Sequence, residues 1–158
     1  MMQPTFAPEE LVAALNAADV AYVIVGGIAV AAHGVVRATA DRDVVPQASP
    51  ENLERLAQAL TDVGAEHPID GALTGASLSR PVSFKLHTRY GDVQVLNRMP
   101  SVPPYEQLRQ NAILVDLGQD SPARVCSLAD LRAMKLASGR PRDLVDVAEL
   151  DELRGLGR

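Results

Sequence analysis

The spacing of apolar residues changes from one segment of the chain to the next, and this pattern predicts a mixed α/β domain. Tyr22–Val25 is apolar throughout, as is typical of a strand buried on both faces. Residues 82–86 and 92–96 alternate apolar and polar positions around a Tyr-Gly turn, so they predict a hairpin of two half-buried strands. Two further short segments, residues 113–117 and 124–126, are predicted as edge strands.

Helix signals separate the predicted strands. Helices are expected to begin at Pro8, Pro50, Tyr105 and Pro141 and directly after Ser127. Ser49 and Ser127 act as N-cap residues in this pattern, and Asp130 stands three positions after Ser127, as in a capping box. Residues 65–81 are rich in Gly, Pro and Ser and lack a clear period, so they are predicted to form a loop.

A stretch early in the chain carries the candidate chemistry. The apolar strand runs into a turn at Gly26 and Gly27, a short Ala-rich helix that closes at Gly34, and a loop that leads to Asp41 and Asp43. Residues without a Cβ let a phosphate approach the backbone, and the N–H groups that open the next helix attract anions. The glycine turn therefore predicts a phosphate site.

Asp41 and Asp43 form a pair of acids two residues apart. On a strand, such side chains project from the same face, about 7 Å from each other. Without a cation, this proximity would raise the pKa of one carboxyl, whereas a hard divalent ion with oxygen ligands relieves both charges. Mg²⁺ is the natural candidate, and together with the glycine turn it would hold a nucleoside triphosphate. The plainer interpretation is a pair of solvated loop acids.

Composition narrows the possible partners. The chain has 158 residues, enough for one domain spanning 1–158 and no second one. Fifteen basic and twenty acidic residues give a net charge of −5, so the surface as a whole does not attract nucleic acid or an anionic membrane. An RNA would need a local patch, and the cations that suggest one are Arg132, Lys135, Arg140 and Arg142. Scarce aromatic residues argue against a platform that stacks successive bases.

Cysteine usage and hydropathy predict a soluble cytoplasmic protein. Cys126 is the single cysteine, which excludes an intrachain disulfide and fits a reducing compartment. The first ten residues lack the basic start and apolar core of a signal peptide. The longest apolar run, residues 21–36, is too short to span a bilayer and contains three glycines, so no membrane partner is expected.

The glycine pair, a spacer of thirteen residues and the D-x-D pair, with HGVVRATAD between them, resemble the signature of the nucleotidyltransferase superfamily that includes DNA polymerase β. The pattern is more closely similar to that of the small bacterial AbiEii-like toxin nucleotidyltransferases, which runs GG-x-A, HG, R-x-T and D-x-D. The later segment SLADLRAMKLASGRPRDLVDVAEL resembles their helical lysine, R-P-K/R-D turn and final helix. Residues 65–81 have no counterpart in this resemblance.

The resemblance implies an α/β (α+β) nucleotidyltransferase fold, with a short mixed sheet flanked by helices, and Mg²⁺ or Mn²⁺ as cofactor. It makes Asp41 and Asp43 the metal-binding catalytic residues. The family's third carboxylate, which ligates the catalytic ion and accepts a proton, aligns with Gln94. An amide oxygen can ligate a metal but carries no charge. Asp92, two residues earlier on the same strand face, is the alternative candidate.

The resemblance also implies a set of nucleotide-binding residues. They are Gly26, Gly27, Arg37, Thr39 and Lys135. Lys135 would contact the triphosphate, and its alternative role is a salt bridge to Asp143 or Asp146. Arg37 would contact phosphate or pin the loop before the D-x-D pair.

Two functions remain open from the sequence. The first is transfer of NMP from an NTP to an RNA or protein acceptor, in a toxin with a cognate antitoxin as partner. The second is a catalytically silent relative that binds nucleotide, or only a protein partner, as a regulator. Gln94 motivates the second function, and so does Arg42, which stands where the family usually has an apolar core residue and must snorkel or pair.

Overall fold

The computed structural model describes residues 7–35, 41–65, 73–81, 83–118 and 121–156. The helices within these ranges are α1 (Pro8–Ala17), α2 (Gly26–Ala32), α3 (Pro50–Asp62), α4 (Gly75–Leu78), α5 (Tyr105–Asn111), α6 (Leu128–Ser138) and α7 (Pro141–Leu156). The strands are β1 (Tyr22–Val25), β2 (Asp41–Pro46), β3 (Ser83–Thr88), β4 (Gly91–Leu96), β5 (Ile113–Asp116) and β6 (Pro122–Val125). No helix in the described part of the chain is long and apolar enough to cross a membrane.

The strands form one mixed sheet in the order β3-β4-β2-β1-β6-β5. The central strand β1 runs antiparallel to β2 and parallel to β6, and β2 runs parallel to β4. The outer pairs β3–β4 and β5–β6 are antiparallel, so the predicted hairpin is confirmed. Every residue of β1 is buried, as its unbroken apolar pattern predicts. The expected short mixed sheet flanked by helices is thus confirmed.

The last two strands correct one expectation. The edge strand predicted for residues 113–117 is present as β5, which ends at Asp116, but β6 lies inside the sheet between β1 and β5, with Ile24 opposite Val125. Along β6 buried and exposed residues alternate, so one face is covered and the other is open. A half-buried interior strand gives the same alternation as an edge strand, and the sequence pattern therefore does not distinguish the two positions.

A second correction concerns the segment predicted as a loop. Within it the structure forms the short helix α4, capped by Thr74, whose hydroxyl accepts a hydrogen bond from the backbone N–H of Ser77. The Ser77 hydroxyl in turn accepts one from the N–H of Thr74, which completes a capping box. A helix of four residues is too short to show a 3.6-residue period, which is why the pattern missed it. Residues 66–72 of this segment lie outside the described residues.

The predicted N-caps Ser49 and Ser127 are confirmed, but the structure shows only the serine half of the capping box expected at Ser127. The Ser49 hydroxyl accepts from the N–H of Asn52 at 3.3 Å, and the Ser127 hydroxyl accepts from the N–H of Asp130 at 3.1 Å. The Asp130 carboxylate makes a tertiary contact, since it accepts hydrogen bonds from Gln107 at 3.0 Å and Asn111 at 3.2 Å. These bonds join the start of α6 to α5.

Candidate active site

The candidate site lies where β1 ends and α2 begins. The structure places Gly26 at the first position of α2, so the glycine pair opens the helix itself and the predicted separate turn is not formed. Gly26 has φ +73°, a conformation that L side chains rarely adopt. A pocket of about 190 Å³ opens beside it and includes Val25, Gly26 and Asp43 in its lining.

Gly26 makes room for Asp43. Strands β1 and β2 pair with Val25 opposite Asp43. This register brings the Asp43 carboxylate beside Gly26, the residue that follows Val25. A Cβ at Gly26 would overlap Asp43 Oδ2 and lie 2.8 Å from Asp43 Cγ. Two features therefore require a glycine at this position. One is the positive φ, and the other is the Asp43 carboxylate, which occupies the space that a side chain would need. The sequence prediction that the acid and the glycine turn converge agrees with this geometry.

The register of β2 against β4 determines which residues face the D-x-D pair. Asp41 is opposite Asp92, and Asp43 is opposite Gln94. Gln94 lines the pocket and donates a hydrogen bond from Nε2 to Ser83 Oγ at 2.6 Å. A neutral amide therefore stands beside Asp43, in the place where the resemblance expects a third carboxylate.

Asp92 is held by β3. Its Oδ1 lies 2.6 Å from His87 Nδ1, and its Oδ2 lies 3.9 Å from Lys85 Nζ. Gln94 and Leu96 of β4 line the pocket, whereas Asp92 is not part of the lining. The alternative candidate for the third carboxylate thus sits beside the pocket, engaged by a neighbouring strand.

Arg42 occupies the opposite face of the sheet. Its side chain is 1% exposed, so it does not snorkel to the solvent. Nη1 donates to the backbone carbonyl oxygen of Asp92 at 3.3 Å, and a Cβ on Gly91 would lie 2.5 Å from the same Nη1. The guanidinium therefore fills the space under the β3–β4 turn, where only a glycine fits. It does not enter the pocket beside Asp43.

Helices α6 and α7 form the other wall of the pocket. Lys135 Nζ lies 3.3 Å from Asp143 Oδ1 and 3.0 Å from Asp146 Oδ2. Arg140 Nε lies 2.8 Å from Asp143 Oδ2. Lys135 therefore makes the salt bridges that were its alternative role, while its side chain also lines the pocket. Contact with a phosphate stays a prediction for this residue.

The Asp143 carboxylate stays ionised inside this wall. Its burial by itself would raise its pKa, but hydrogen bonds from Arg140 and Ser138, together with the charge of Lys135, hold the pKa at about 2. The pKa of Arg140 is raised chiefly by its hydrogen bond to Asp143 and also by the charge of Asp43. Asp143 is thus the main partner of Arg140, and the charge of Asp43 makes a smaller contribution.

The same ion pairs limit the basic patch suggested by the sequence. Arg132 makes a two-pronged contact with Asp151, at 3.0 Å from Nε and 3.1 Å from Nη2. Lys135 and Arg140 are bound to acids of α7, as described above. Three of the four cations in the suggested patch are therefore paired within the protein. Attraction of RNA to this surface remains a prediction, but fewer unpaired positive charges support it.

Some predicted site residues lie outside the described part of the chain. They are Arg37 and Thr39, and also the side chain of Asp41, whose backbone opens β2. Among the described side chains, no group of three or more His, Cys, Asp or Glu residues could hold a metal ion. Asp43 and Gln94 nevertheless supply oxygen donors of the kind that Mg²⁺ prefers, and the space kept open by Gly26 admits the carboxylate. The described residues therefore fit one side of a magnesium site.

Sequence reasoning missed part of the pocket. The sequence indicates Arg140 only as a cation of the C-terminal patch and gives no role to Met99 or Met134, yet all three line the pocket. A signal for Met134 existed, because it precedes Lys135 on the helix and lies three residues after the buried Leu131. No periodic pattern marks Met99, which lies in a loop after β4.

The six-stranded mixed sheet flanked by helices matches the fold of solved nucleotidyltransferase structures. Two solved structures share this architecture. A protein from Thermotoga maritima that is provisionally described as a nucleotidyltransferase is 16% identical, with a TM-score of 0.58, over 94% of this chain and 90% of that one. An antigenic nucleotidyltransferase-like protein from Paracoccidioides brasiliensis is 18% identical, with a TM-score of 0.62, over 92% of this chain and 73% of that one.

The chain belongs to the family described as nucleotidyltransferase of unknown function (DUF6036), which matches residues 7–154. No curated protein matches the chain significantly. The predicted membership of the nucleotidyltransferase group is confirmed by this family match. The structural similarity to the two solved proteins shows the shared fold. Their sequence identity is too low to indicate the substrate or the acceptor of this chain.

Proposed function

We propose that the protein is a Mg²⁺-dependent nucleotidyltransferase that moves NMP from an NTP to a hydroxyl of an RNA or protein acceptor. The observation that carries this proposal is the carboxylate of Asp43 seated against Gly26, with Lys135 and Arg140 on the facing wall of the same pocket. An acid that attracts a metal and cations that attract phosphate are thus combined in one cleft. This combination suits the anionic tail of a nucleoside triphosphate together with its cation.

The predicted metal-binding and nucleotide-binding residues each have a role in this proposal. Asp41 and Asp43 would hold Mg²⁺ or Mn²⁺, which when bound supplies charge stabilisation for phosphoryl transfer. The backbone at Gly26 and Gly27 would approach the phosphates, together with the side chains Arg37, Thr39 and Lys135. Lys135 would share its charge between its two carboxylate partners and a phosphate oxygen, because ion pairing leaves its side chain lining the pocket.

Transfer of label tests the proposal directly. The purified protein is incubated with each α-labelled NTP, with Mg²⁺ or Mn²⁺, and with total RNA or cell protein as acceptor. Labelled product is expected from the wild type and not from Asp43→Asn, which removes the charge but keeps the shape. Asp62→Asn is the matched control, because Asp62 is an exposed acid on α3. No product from wild type, or equal product from Asp43→Asn, would contradict the proposed transfer.

The resemblance to AbiEii-like proteins supports a role as the toxin of a toxin–antitoxin pair. Induced expression is then expected to arrest growth, and the substitution Asp43→Asn is expected to abolish the arrest at equal protein level. A cognate antitoxin, encoded next to this chain, would restore growth when expressed with it. Growth that is unaffected by the wild-type chain would contradict the toxin role but leave nucleotide transfer open.

A second candidate function is a silent relative that binds nucleotide or a protein partner. The observation that favours it is Gln94, whose neutral amide stands beside Asp43 and is bonded to Ser83. The second reason for expecting a silent relative was Arg42, and it carries less weight because Arg42 is directed away from the pocket. The substitution Gln94→Asp separates the two functions. Transfer that appears only in Gln94→Asp supports the silent relative, whereas transfer already present in the wild type supports the enzyme.

A further inference from the structure

The pocket has two chemically different ends, and α6 shows their order. Four of its residues line the pocket at i, i+3, i+4 and i+7 and so form one stripe of the helix. In chain order they are Leu131, Met134, Lys135 and Ser138. At 1.5 Å rise per residue, the stripe extends over roughly 10 Å. The helix therefore presents an apolar half, followed by a polar half that leads to Arg140.

Strand β4 and the loop after it have the same polarity. Gln94 faces Asp43 at the polar end, and the pocket residues that follow it along the chain are Leu96, Met99, Ser101 and Val102. Apart from Ser101, the described residues of this group are apolar. Two elements far apart in sequence thus each line the pocket with a polar segment and an apolar segment.

A third contact brings the two apolar segments together. The loop that carries Met99 and Val102 leads directly into α5, and α5 is bonded to the first turn of α6 through Asp130. The neighbouring residue, Leu131, is buried and opens the apolar half of the α6 stripe. The apolar parts of both walls are therefore anchored to the same helix. Both apolar segments line the same pocket, and on α6 the apolar half lies at the end of the helix away from Arg140.

We propose that this apolar end is a nucleobase subsite that prefers purines over pyrimidines and distinguishes adenine from guanine only weakly. The subsite consists of Leu96, Met99, Val102, Leu131 and Met134. This inference rests on the proposed function, because the polar end takes the triphosphate. Methionine side chains adapt their shape and make favourable contacts between sulfur and aromatic rings. The larger ring system of a purine covers more apolar surface than a pyrimidine does.

Weak discrimination between the two purines follows from the lining. Adenine and guanine differ in the hydrogen-bonding groups on their edges, and a site separates such ligands strongly only where its own polar groups are left unpaired by the wrong one. Ser101 is the single polar side chain among the described residues at this end, and it is exposed. The subsite therefore recognises the size and flatness of the base.

Calorimetry with tripolyphosphate as the reference ligand tests this inference. The full chain is titrated with ATP, GTP, CTP, UTP and inorganic tripolyphosphate in the presence of Mg²⁺ and without acceptor. ATP and GTP are expected to bind with similar affinity, several-fold more tightly than CTP and UTP. All four nucleotides are expected to bind more tightly than tripolyphosphate, because only they occupy the apolar end.

Variants assign the difference to the subsite. Met134→Ala should weaken ATP binding about tenfold, the size expected for losing much of one methionine contact, and leave tripolyphosphate binding unchanged. Met134→Leu should retain most of the ATP affinity and shows that the fold tolerates a change at this position. Leu136→Ala is the matched control, since Leu136 lies on α6 outside the pocket lining and is 45% exposed.

The possible outcomes separate this inference from the function beneath it. If ATP and tripolyphosphate bind equally well, or if pyrimidine nucleotides bind as tightly as purine nucleotides, the nucleobase subsite is refuted while phosphate binding stands. An equal loss of tripolyphosphate and ATP affinity in Met134→Ala refutes it as well. If neither tripolyphosphate nor any nucleotide binds, the proposed function fails and the subsite fails with it.

Discussion

Replacing Gly26 with alanine should displace the Asp43 carboxylate and abolish nucleotide transfer. The new Cβ would overlap Asp43 Oδ2 and lie 2.8 Å from Cγ, so the carboxylate and the methyl group cannot share the space. Asp43 is the easier of the two to move, because it is the third residue of β2, close to the strand's start. The side chain is expected to rotate away from the pocket.

The expected loss of stability has two sources. An L side chain at φ +73° costs about 1–2 kcal/mol relative to glycine. Rotation of Asp43 into a less favourable side-chain conformation adds roughly 0.5–1.5 kcal/mol. The free energy of unfolding should therefore fall by about 2–3 kcal/mol. The rate of nucleotide transfer should fall by a factor of roughly a hundred or more, because misplacing a catalytic group by about 1 Å can reduce the rate by that much.

Gly34 offers a matched control for the backbone contribution. It also has a positive φ, +105°, but a Cβ there would lie 3.5 Å from Leu153 Cδ1, which is ordinary van der Waals contact. Gly34→Ala should therefore show the conformational cost without the overlap and keep nucleotide transfer. Urea unfolding measures the stability of both variants, and label transfer measures their activity. In an Asp43→Gly background, the penalty of Gly26→Ala should approach that of Gly34→Ala, because Oδ2, Cγ and the Cβ that lies 3.0 Å away are all gone.

The result that refutes this reasoning is specific. If Gly26→Ala is no less stable than Gly34→Ala and transfers nucleotide at the wild-type rate, Asp43 does not depend on the space at Gly26. The convergence of acid and glycine would then be incidental. An equal penalty of Gly26→Ala with and without the Asp43 side chain would lead to the same conclusion for stability.

Two further predictions concern the buried charges. The pKa of Asp143 falls from 3.8 to about 2 on folding, so its stabilisation is complete above 3.8 and is lost as the pH falls through about 2. Asp143→Asn should therefore lower the free energy of unfolding on the order of 2 kcal/mol at neutral pH, and by much less at pH 2, in urea titrations at several pH values. Arg42→Ala should cost about 2–4 kcal/mol through the cavity left under Gly91, and Arg42→Met should cost less, as thermal unfolding would show.

The local parts of the site were predictable from the sequence. An apolar run marks β1, the alternation rule places the D-x-D acids on one strand face, and the glycines mark a backbone that must accommodate a close neighbour. These properties depend on residues a few positions apart, and the structure agrees with them at Gly26 and Asp43. Cap residues such as Ser127 are local for the same reason.

The rest depends on contacts between distant segments. The sequence placed Arg42 at an apolar position but not under Gly91, 49 residues later, where its guanidinium fits only because that residue has no side chain. The interior position of β6 follows from its pairing with β1, about a hundred residues earlier, which no periodicity encodes. The apolar end of the pocket is assembled in the same way, from a loop after β4 and a stripe of α6.

The charges near the site show why residue counts alone misjudge a surface. Arg132, Lys135 and Arg140 cluster in the sequence, but each is bound to an acid of α7. These cations therefore contribute little to long-range attraction of a polyanion, since each positive charge is offset within one hydrogen-bond distance. The pocket lining itself holds the acids Asp43 and Asp143 as well as the cations Lys135 and Arg140. Because these charges balance, binding of a triphosphate in this pocket would depend on the proposed Mg²⁺, since a bound cation is the largest local charge in such a site.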